Sequence, residues 1–409
     1  MNYIIIGNGA AGITAAETLR HLDSESQIRL ISDETFVPYC RPMISMVLEG
    51  SVPPEKLPIR TAGFYDALRI EPVLGHRVAA IDVDNRTASV AGTVYPFDRL
   101  LIASGADPRR IKAEGVGLGN IFFMRTEAHV RGMLSALPQV RNALVLGGGL
   151  VGFKSAYGLL RRGINVTKLI RSGYPLSMQV DVEAGHMISD ELKAHGLDVR
   201  VGVEATAFAG NGTVRQAYLS DGTQIDCDMV VIGKGVFPAR SFIPKDKIRV
   251  DAGILVDEHL ETSAPGVYAA GDVAESIDIA RKTRWVNAIW PEAVAQGRIA
   301  AMNMAGRTTA YKGSLSRNVI RIFGLDVMTA GIVSPPQEQG YEVLSFRDNR
   351  AGTYRKLVFR GDHLVGMAIV NAVEQGGVLT ALIQSEIPIG VPHEALLKPG
   401  FNYRQLMAL

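Results

Sequence analysis

Residues 2–12 read NYIIIGNGAAG, an apolar run of strand type that breaks into glycines and passes into the helical stretch ITAAETLRHL. A second apolar run, IRLIS at 28–32, closes on Asp33 and Glu34. This order of strand, glycine turn, helix and strand gives each glycine of the GxGxxG pattern a task. Gly7 permits the tight turn, Gly9 lets backbone approach a pyrophosphate, and Gly12 lets the helix pack closely on the strand. Ala10 and Ala11 fill the first helical turn, whose free N–H groups and partial positive charge suit a phosphate. An acid at the end of the second strand, Asp33 or Glu34, can accept ribose hydroxyl protons. The stretch predicts an α/β dinucleotide-binding unit built on a parallel sheet.

The same grammar recurs further along. ALVL at 143–146 runs into Gly147-Gly148-Gly149-Leu150-Val151-Gly152, then the helical FKSAYGLLRRG and the strand-like INVTKLI. A third signal is TSAPGVYAAGDVA at 262–274, an apolar segment ending in Gly271-Asp272. A carboxylate there can take a ribityl or ribose hydroxyl, and a following helix N-terminus can face a phosphate.

Composition bounds the rest. At roughly 150 residues per domain, a chain of 409 residues makes two or three domains. With 47% apolar and 21% charged residues it is neither disordered nor collagen-like. A net charge of +2 gives no electrostatic case for nucleic acid. Two cysteines, Cys40 and Cys227, cannot build a disulfide framework, which points to a reducing, cytoplasmic setting. The first residues lack a basic n-region and a cleavage pattern, so no signal peptide is expected, and no apolar run is long enough to suggest a membrane span. The eight histidines are scattered, without CxxC or HExxH, so no metal site is expected.

Taken in order, GNGAAG at 7–12, LLIASGADPR at 100–109, LGGGLVG at 146–152, VVIGKGVFP at 230–238 and TSAPGVYAAGDVA at 262–274 resemble the two-dinucleotide-binding flavoproteins of the pyridine nucleotide-disulfide reductase superfamily. PYCRPMIS at 38–45 and WPEAVAQGRIAAMNMAG at 290–306 look like the rubredoxin and ferredoxin reductases and the flavin region of nitrite reductase within it. The resemblance implies two Rossmann-like domains, the second inserted in the first, and a C-terminal α+β domain with an antiparallel sheet. FAD-binding sequence is expected over 1–110 and 232–306, an NAD(P)-binding domain over 111–231, and a dimerisation or interface domain over 307–409. It implies FAD with NADPH or NADH as cofactors, and a small electron carrier or a redox subunit as partner. A homodimer is compatible with it.

By position, the resemblance carries Arg41 to the FAD phosphates and Val78 to an adenine contact. Ala103, Ser104 and Gly105 fall on the family's Ala-Thr-Gly turn, Arg125 on its Leu-Arg-Thr motif, Gly235 on the turn after the last strand of the inserted domain, and Trp290 with Pro291 over the flavin ring. Departures narrow the chemistry. The single redox cysteine of the peroxidase and oxidase relatives falls on Pro42, and no second cysteine lies near Cys40, so the flavin itself must carry the redox work. The family's Glu near the nicotinamide is Lys154, and its lysine partner is Met46. Both members of that pair are changed, which avoids an orphaned charge. Lys154 is thereby the candidate catalytic residue, a cation beside the isoalloxazine favouring negative charge on the ring. Lys234 is expected as a second cation near it. Ile170 replaces the acid that closes the second nucleotide unit and Arg171 follows it, a pairing that favours NADPH. The expected activity is electron transfer from NAD(P)H through FAD to rubredoxin or ferredoxin. The alternative is a flavoprotein subunit of a larger nitrite reductase-like or amine-oxidising complex.

Overall fold

The computed structural model describes residues 1–337, 340–398, 400, 401 and 404, so part of the expected C-terminal domain, including 405–409, lies outside the described residues. The first sheet is parallel throughout, in the order Val267–Ala269, Arg99–Ile102, Asn2–Ile6, Gln27–Ser32, Ile70–Leu74. Its central strands are apolar on both faces because the helices Ala10–Leu22 and Trp290–Met304 and the antiparallel strands Val78–Asp82, Thr87–Val90 and Thr93–Pro96 cover them between them: Ile4, Ile5, Leu100 and Leu101 are fully buried. The helix Ala10–Leu22 packs on Trp290–Met304 through small residues. A Cβ on Gly297 would stand 2.3 Å from the Ala11 carbonyl oxygen, so only glycine allows this approach. That contact brings the chain back to its first unit after the excursion between.

The second sheet repeats the plan. Its parallel order is Asp198–Val201, Asn165–Ile170, Asn142–Leu146, Met229–Ile232, Ile121–Phe123. One face carries the helices Leu150–Arg161 and Val182–Ala194. The other packs against an antiparallel meander, Ala205–Ala209, Gln216–Leu219 and Gln224–Asp226, around Phe208, Ala217 and Leu219.

The third sheet is antiparallel: Arg317–Ile322, Leu325–Gly331, His363–Val370, Thr353–Arg360, Tyr341–Asp348. It is keyed to the second unit. Tyr354 donates to Asp181 Oδ2 at 2.6 Å, and Lys356 pairs with the same carboxylate at 3.1 Å. Phe323 wedges between Tyr157 (centroids 4.9 Å apart) and His195 (3.8 Å). Among the described residues no helix is long and apolar enough to cross a membrane.

Lys168 sets a charge inside an otherwise apolar strand core. Lys168, on the strand Asn165–Ile170, is fully buried between its register partners Val145 and Val199. Its ammonium lies 5.6 Å from the Phe153 ring centroid, and its Nζ has no hydrogen-bond partner among the described residues. Burial pulls its pKa from 10.5 down to about 7. A lysine lowered in this way is protonated in the unfolded chain and largely neutral in the folded one between those values. Stability therefore climbs as pH rises through that window, and the penalty is greatest below it. Lys168→Met should raise unfolding stability at neutral pH by about 1–3 kcal/mol. The gain should shrink towards pH 10, as denaturant titrations at several pH values would reveal. A pH-independent difference would contradict the assignment.

Candidate functional site

The two glycine loops have one geometry. Gly7 has φ of +120° and Gly147 +117°. A Cβ at Gly7 would lie 2.0 Å from the Ala103 carbonyl oxygen, and one at Gly147 2.3 Å from that of Gly233. Gly12 and Gly152 then press on the carbonyl oxygens of Gly7 and Gly147, at 1.9 and 2.4 Å from a built Cβ. Gly9 and Gly149, in contrast, face open space. Each is the N-cap of its helix, and no side chain caps the first turn. Ala10 and Ala11 in one turn, and Leu150 and Val151 in the other, leave their N–H groups to a ligand.

Beside the first loop a pocket is lined by Gly7, Asp33, Val78 and Ser104, as the sequence suggests, by Ser32 next to Asp33, and by His76, Arg77 and Phe242, which it does not suggest. His76 and Arg77 immediately precede Val78, and Phe242 comes from a distant segment without a motif. Ser104 is anchored by its hydroxyl on the Ala239 carbonyl at 2.7 Å, and Gly105 accepts from the Ala239 N–H at 2.9 Å. Asp33 and Glu34 part company, because successive residues leaving a strand point to opposite sides. Asp33 lines the pocket, while Glu34 is taken up by Arg41 at 2.5 Å and by the Tyr39 hydroxyl at 2.7 Å. The expectation that either acid could serve the ribose thus narrows to Asp33.

Arg41 also donates to the Arg125 carbonyl at 2.7 Å, and Arg125 pairs with Asp272 at 2.8 Å. Asp272 therefore stands in one network with both arginines, below the turn where Gly271 N–H donates to Gln296 Oε1 at 2.8 Å. Asn8 Oδ1, on the loop itself, is buried with no partner among the described residues, a polar atom that a bound molecule or water can satisfy. Open glycine faces, an uncapped helix, this orphaned acceptor and the Asp33 pocket all fit FAD.

Between the loops, the segment Ile44–Glu49 packs on the helix Leu150–Arg161, where Arg162 donates to the Leu48 carbonyl at 2.9 Å. This packing brings Lys154 beside Cys40. Lys154 is half-buried, and burial lowers its pKa from the usual lysine range while Cys40 opposes the shift. Burial in turn raises the Cys40 thiol, against the smaller lowering effect of Lys154. Met46 is exposed, Pro42 is exposed on the turn after Cys40, and Trp290 and Pro291 open the helix Trp290–Met304. Lys234 departs from expectation: its ammonium is held by Glu204 at 2.6 Å, on the nucleotide side, so it is not a second cation for the ring. Arg171 is exposed at the end of its strand, and Gly235 sits in the turn that receives the Arg109 N–H at 2.9 Å.

Residues 1–297 match the family model for pyridine nucleotide-disulphide oxidoreductases. The chain belongs to that family. Residues 317–387 match the C-terminal domain of rubredoxin NAD+ reductase. As in other members of the family, the cofactors are FAD and NAD(P)H, and the chain is an oxidoreductase. It is 28% identical to nitrite reductase [NAD(P)H] of Bacillus subtilis (strain 168), over 94% of this chain and 47% of that one, so it spans about half the length of that relative. It is 29% identical to the epsilon subunit of the NADH-dependent phenylglyoxylate dehydrogenase of Aromatoleum evansii, over 93% of this chain and 91% of that one. Its fold superposes on the reductase of the covalent putidaredoxin reductase–putidaredoxin complex with a TM-score of 0.90 at 23% identity, covering 100% of this chain and 98% of that one.

The cysteine pair of disulphide-reducing family members has no counterpart here. Cys227 is buried under the meander, its thiol pushed up to about 12, far from Cys40 in the fold. With its own pKa raised, Cys40 stays a thiol at neutral pH and is a poor nucleophile. Cys40→Ser should retain NAD(P)H oxidation with ferricyanide within about threefold of wild type. A loss of about a hundredfold in kcat with FAD still bound would place Cys40 in the chemistry.

Proposed function

We propose that this chain passes electrons from NAD(P)H through FAD to a small one-electron carrier protein of the rubredoxin or ferredoxin kind. The observation that carries the reading is that the chain holds two glycine loops of one geometry, each at an uncapped helix start, with no second cysteine near Cys40. FAD supplies the exchange between a hydride donor and one-electron acceptors. The loop Gly7–Gly12 and Asp33 would hold its adenosine and pyrophosphate, with Val78, Ala103, Ser104 and Gly105 around them. Arg41, Arg125 and Asp272 would fix the part towards the ring, covered by Trp290 and Pro291. Lys154 would hold positive charge where negative charge develops in transfer. Gly147, Gly149 and Gly152 would cradle the nicotinamide nucleotide, with Arg171 at its 2′ position. We take 1–110 with 232–306, 111–231 and 307–409 as the three domains, and the cytoplasm as the setting. The epsilon-subunit relative favours a second reading, in which the chain feeds a partner's redox centre within a larger assembly.

An anaerobic titration separates these readings. The protein should purify with about one non-covalent FAD, and NADPH or NADH should bleach it and then reduce added rubredoxin or ferredoxin. If neither nucleotide does so, electrons enter from elsewhere and the subunit reading leads. Lys154→Glu should lower the midpoint potential of the bound FAD or slow its reduction, and an unchanged potential and rate would remove Lys154 from the site. One arginine at the 2′ position supports about a tenfold preference for NADPH. Arg171→Ala should weaken NADPH binding by about that factor and leave NADH nearly unchanged. Equal weakening of both nucleotides in Arg171→Ala would refute this placement.

A further inference from the structure

The second nucleotide unit lacks the acid at Ile170, yet the fold returns an acid to the same place. The strands Asn165–Ile170 and Asp198–Val201 end side by side, with Ile170 opposite Val201. Gly202 N–H donates to the Ile170 carbonyl at 2.8 Å, which ties the next loop to the residue before Arg171. Two residues on, Glu204 is clamped at both backbone groups by Ser220: its N–H donates to the Ser220 hydroxyl at 3.1 Å, and its carbonyl accepts from Ser220 N–H at 2.9 Å. Its Oε1 accepts from Lys234 at 2.6 Å. Lys234 in turn follows Gly233, whose carbonyl packs against the Gly147 turn. The ion pair therefore links the end of Asp198–Val201 to the turn beside the phosphate loop. Glu204 Oε2 takes no hydrogen bond among the described residues, and the side chain is 46% exposed.

We propose that Glu204 sets the nicotinamide nucleotide selectivity of this unit, accepting from the adenosine ribose hydroxyls of NAD(H) and opposing the 2′-phosphate of NADP(H). The proposal rests on the placement of Arg171 at the 2′ position. The spatial logic is electrostatic. A carboxylate within reach of Arg171 cancels part of the attraction that this arginine offers to a phosphate, and it adds repulsion of its own. Lys234, and to a smaller degree Arg171, hold the Glu204 carboxyl below its usual range, so it is charged at neutral pH. Engagement of Lys234 by Glu204 also keeps a second cation from the phosphate. An acid supplied by the neighbouring strand thus substitutes for the one missing at Ile170, and the NADPH preference granted by Arg171 is held down.

Binding of adenosine fragments tests this without any redox readout. The FAD-loaded protein is titrated calorimetrically with 2′,5′-ADP and with 5′-ADP, at fixed ionic strength. Glu204→Gln and Glu204→Ser should each tighten 2′,5′-ADP by about three- to tenfold and leave 5′-ADP unchanged or weaker. Glu204→Asp, which keeps the charge, should leave the ratio within about twofold of wild type. An unchanged ratio in both neutral variants, with thermal unfolding like that of wild type, would overturn the proposal. Arg171→Ala in the same titration isolates the underlying reading. If it weakens 2′,5′-ADP while the Glu204 variants do nothing, Arg171 stands and Glu204 falls. If it changes nothing while the neutral Glu204 variants shift the ratio, Glu204 stands and the phosphate is bound by another cation. If no variant changes the ratio, both assignments fail.

Discussion

Two carbonyl oxygens govern this molecule, those of Ala103 and Gly233. Each lies about where the first carbon of a side chain would have to be on Gly7 or Gly147, at 2.0 and 2.3 Å. No rotamer or small shift relieves such an overlap, because the opposing atom is backbone. The contact locks the end of one parallel strand onto the turn after its neighbour. That leaves the next glycine, Gly9 or Gly149, and an uncapped helical turn facing outwards. Phosphate binding at these turns follows from the way the sheet closes.

Everything between the two loops depends on how the units are joined. Ala11 against Gly297 returns the chain to the first sheet, and the segment Ile44–Glu49 lies on the helix of the second loop. The antiparallel sheet adds a third fixed contact through Tyr354, Lys356 and Phe323. These contacts are polar and aromatic as well as apolar, so they define an orientation rather than mere proximity. They set Lys154 next to Cys40.

The acids of the site are largely spoken for. Glu34 is held by Arg41, Asp272 by Arg125, and Glu204 by Lys234. Among the described residues Lys154 and Arg171 make no ion pair, which leaves both cations free to meet negative charge. Because Lys154 is half-buried, its charge is less screened than that of a surface lysine, and a charge change there acts more strongly on a nearby ring.

The glycine spacing, the apolar runs around it and the Gly-Asp strand determined the two parallel units, their order and the loops that cradle phosphate. Those are local features, written within about thirty residues of each other. The absence of a second cysteine near Cys40 is equally plain in the sequence, and it removes disulfide chemistry. What tertiary structure alone decided were the side-chain partnerships. Asp33 and Glu34 are neighbours of like chemistry, and only the strand's exit direction sends one to the pocket and the other to Arg41. Phe242 joins that pocket from a segment that carries no pattern, and His76 and Arg77 join it beside Val78. Lys234 turns to Glu204 rather than to the ring because a loop tied to Ile170 and Ser220 delivers that acid across the ends of the strands. Lys168 passed unnoticed within an apolar strand, since burial of a charge depends on what covers it. Motifs record the backbone's closest approaches, which permit few residues, whereas the pairing of charges is settled by long side chains reaching between segments distant in sequence.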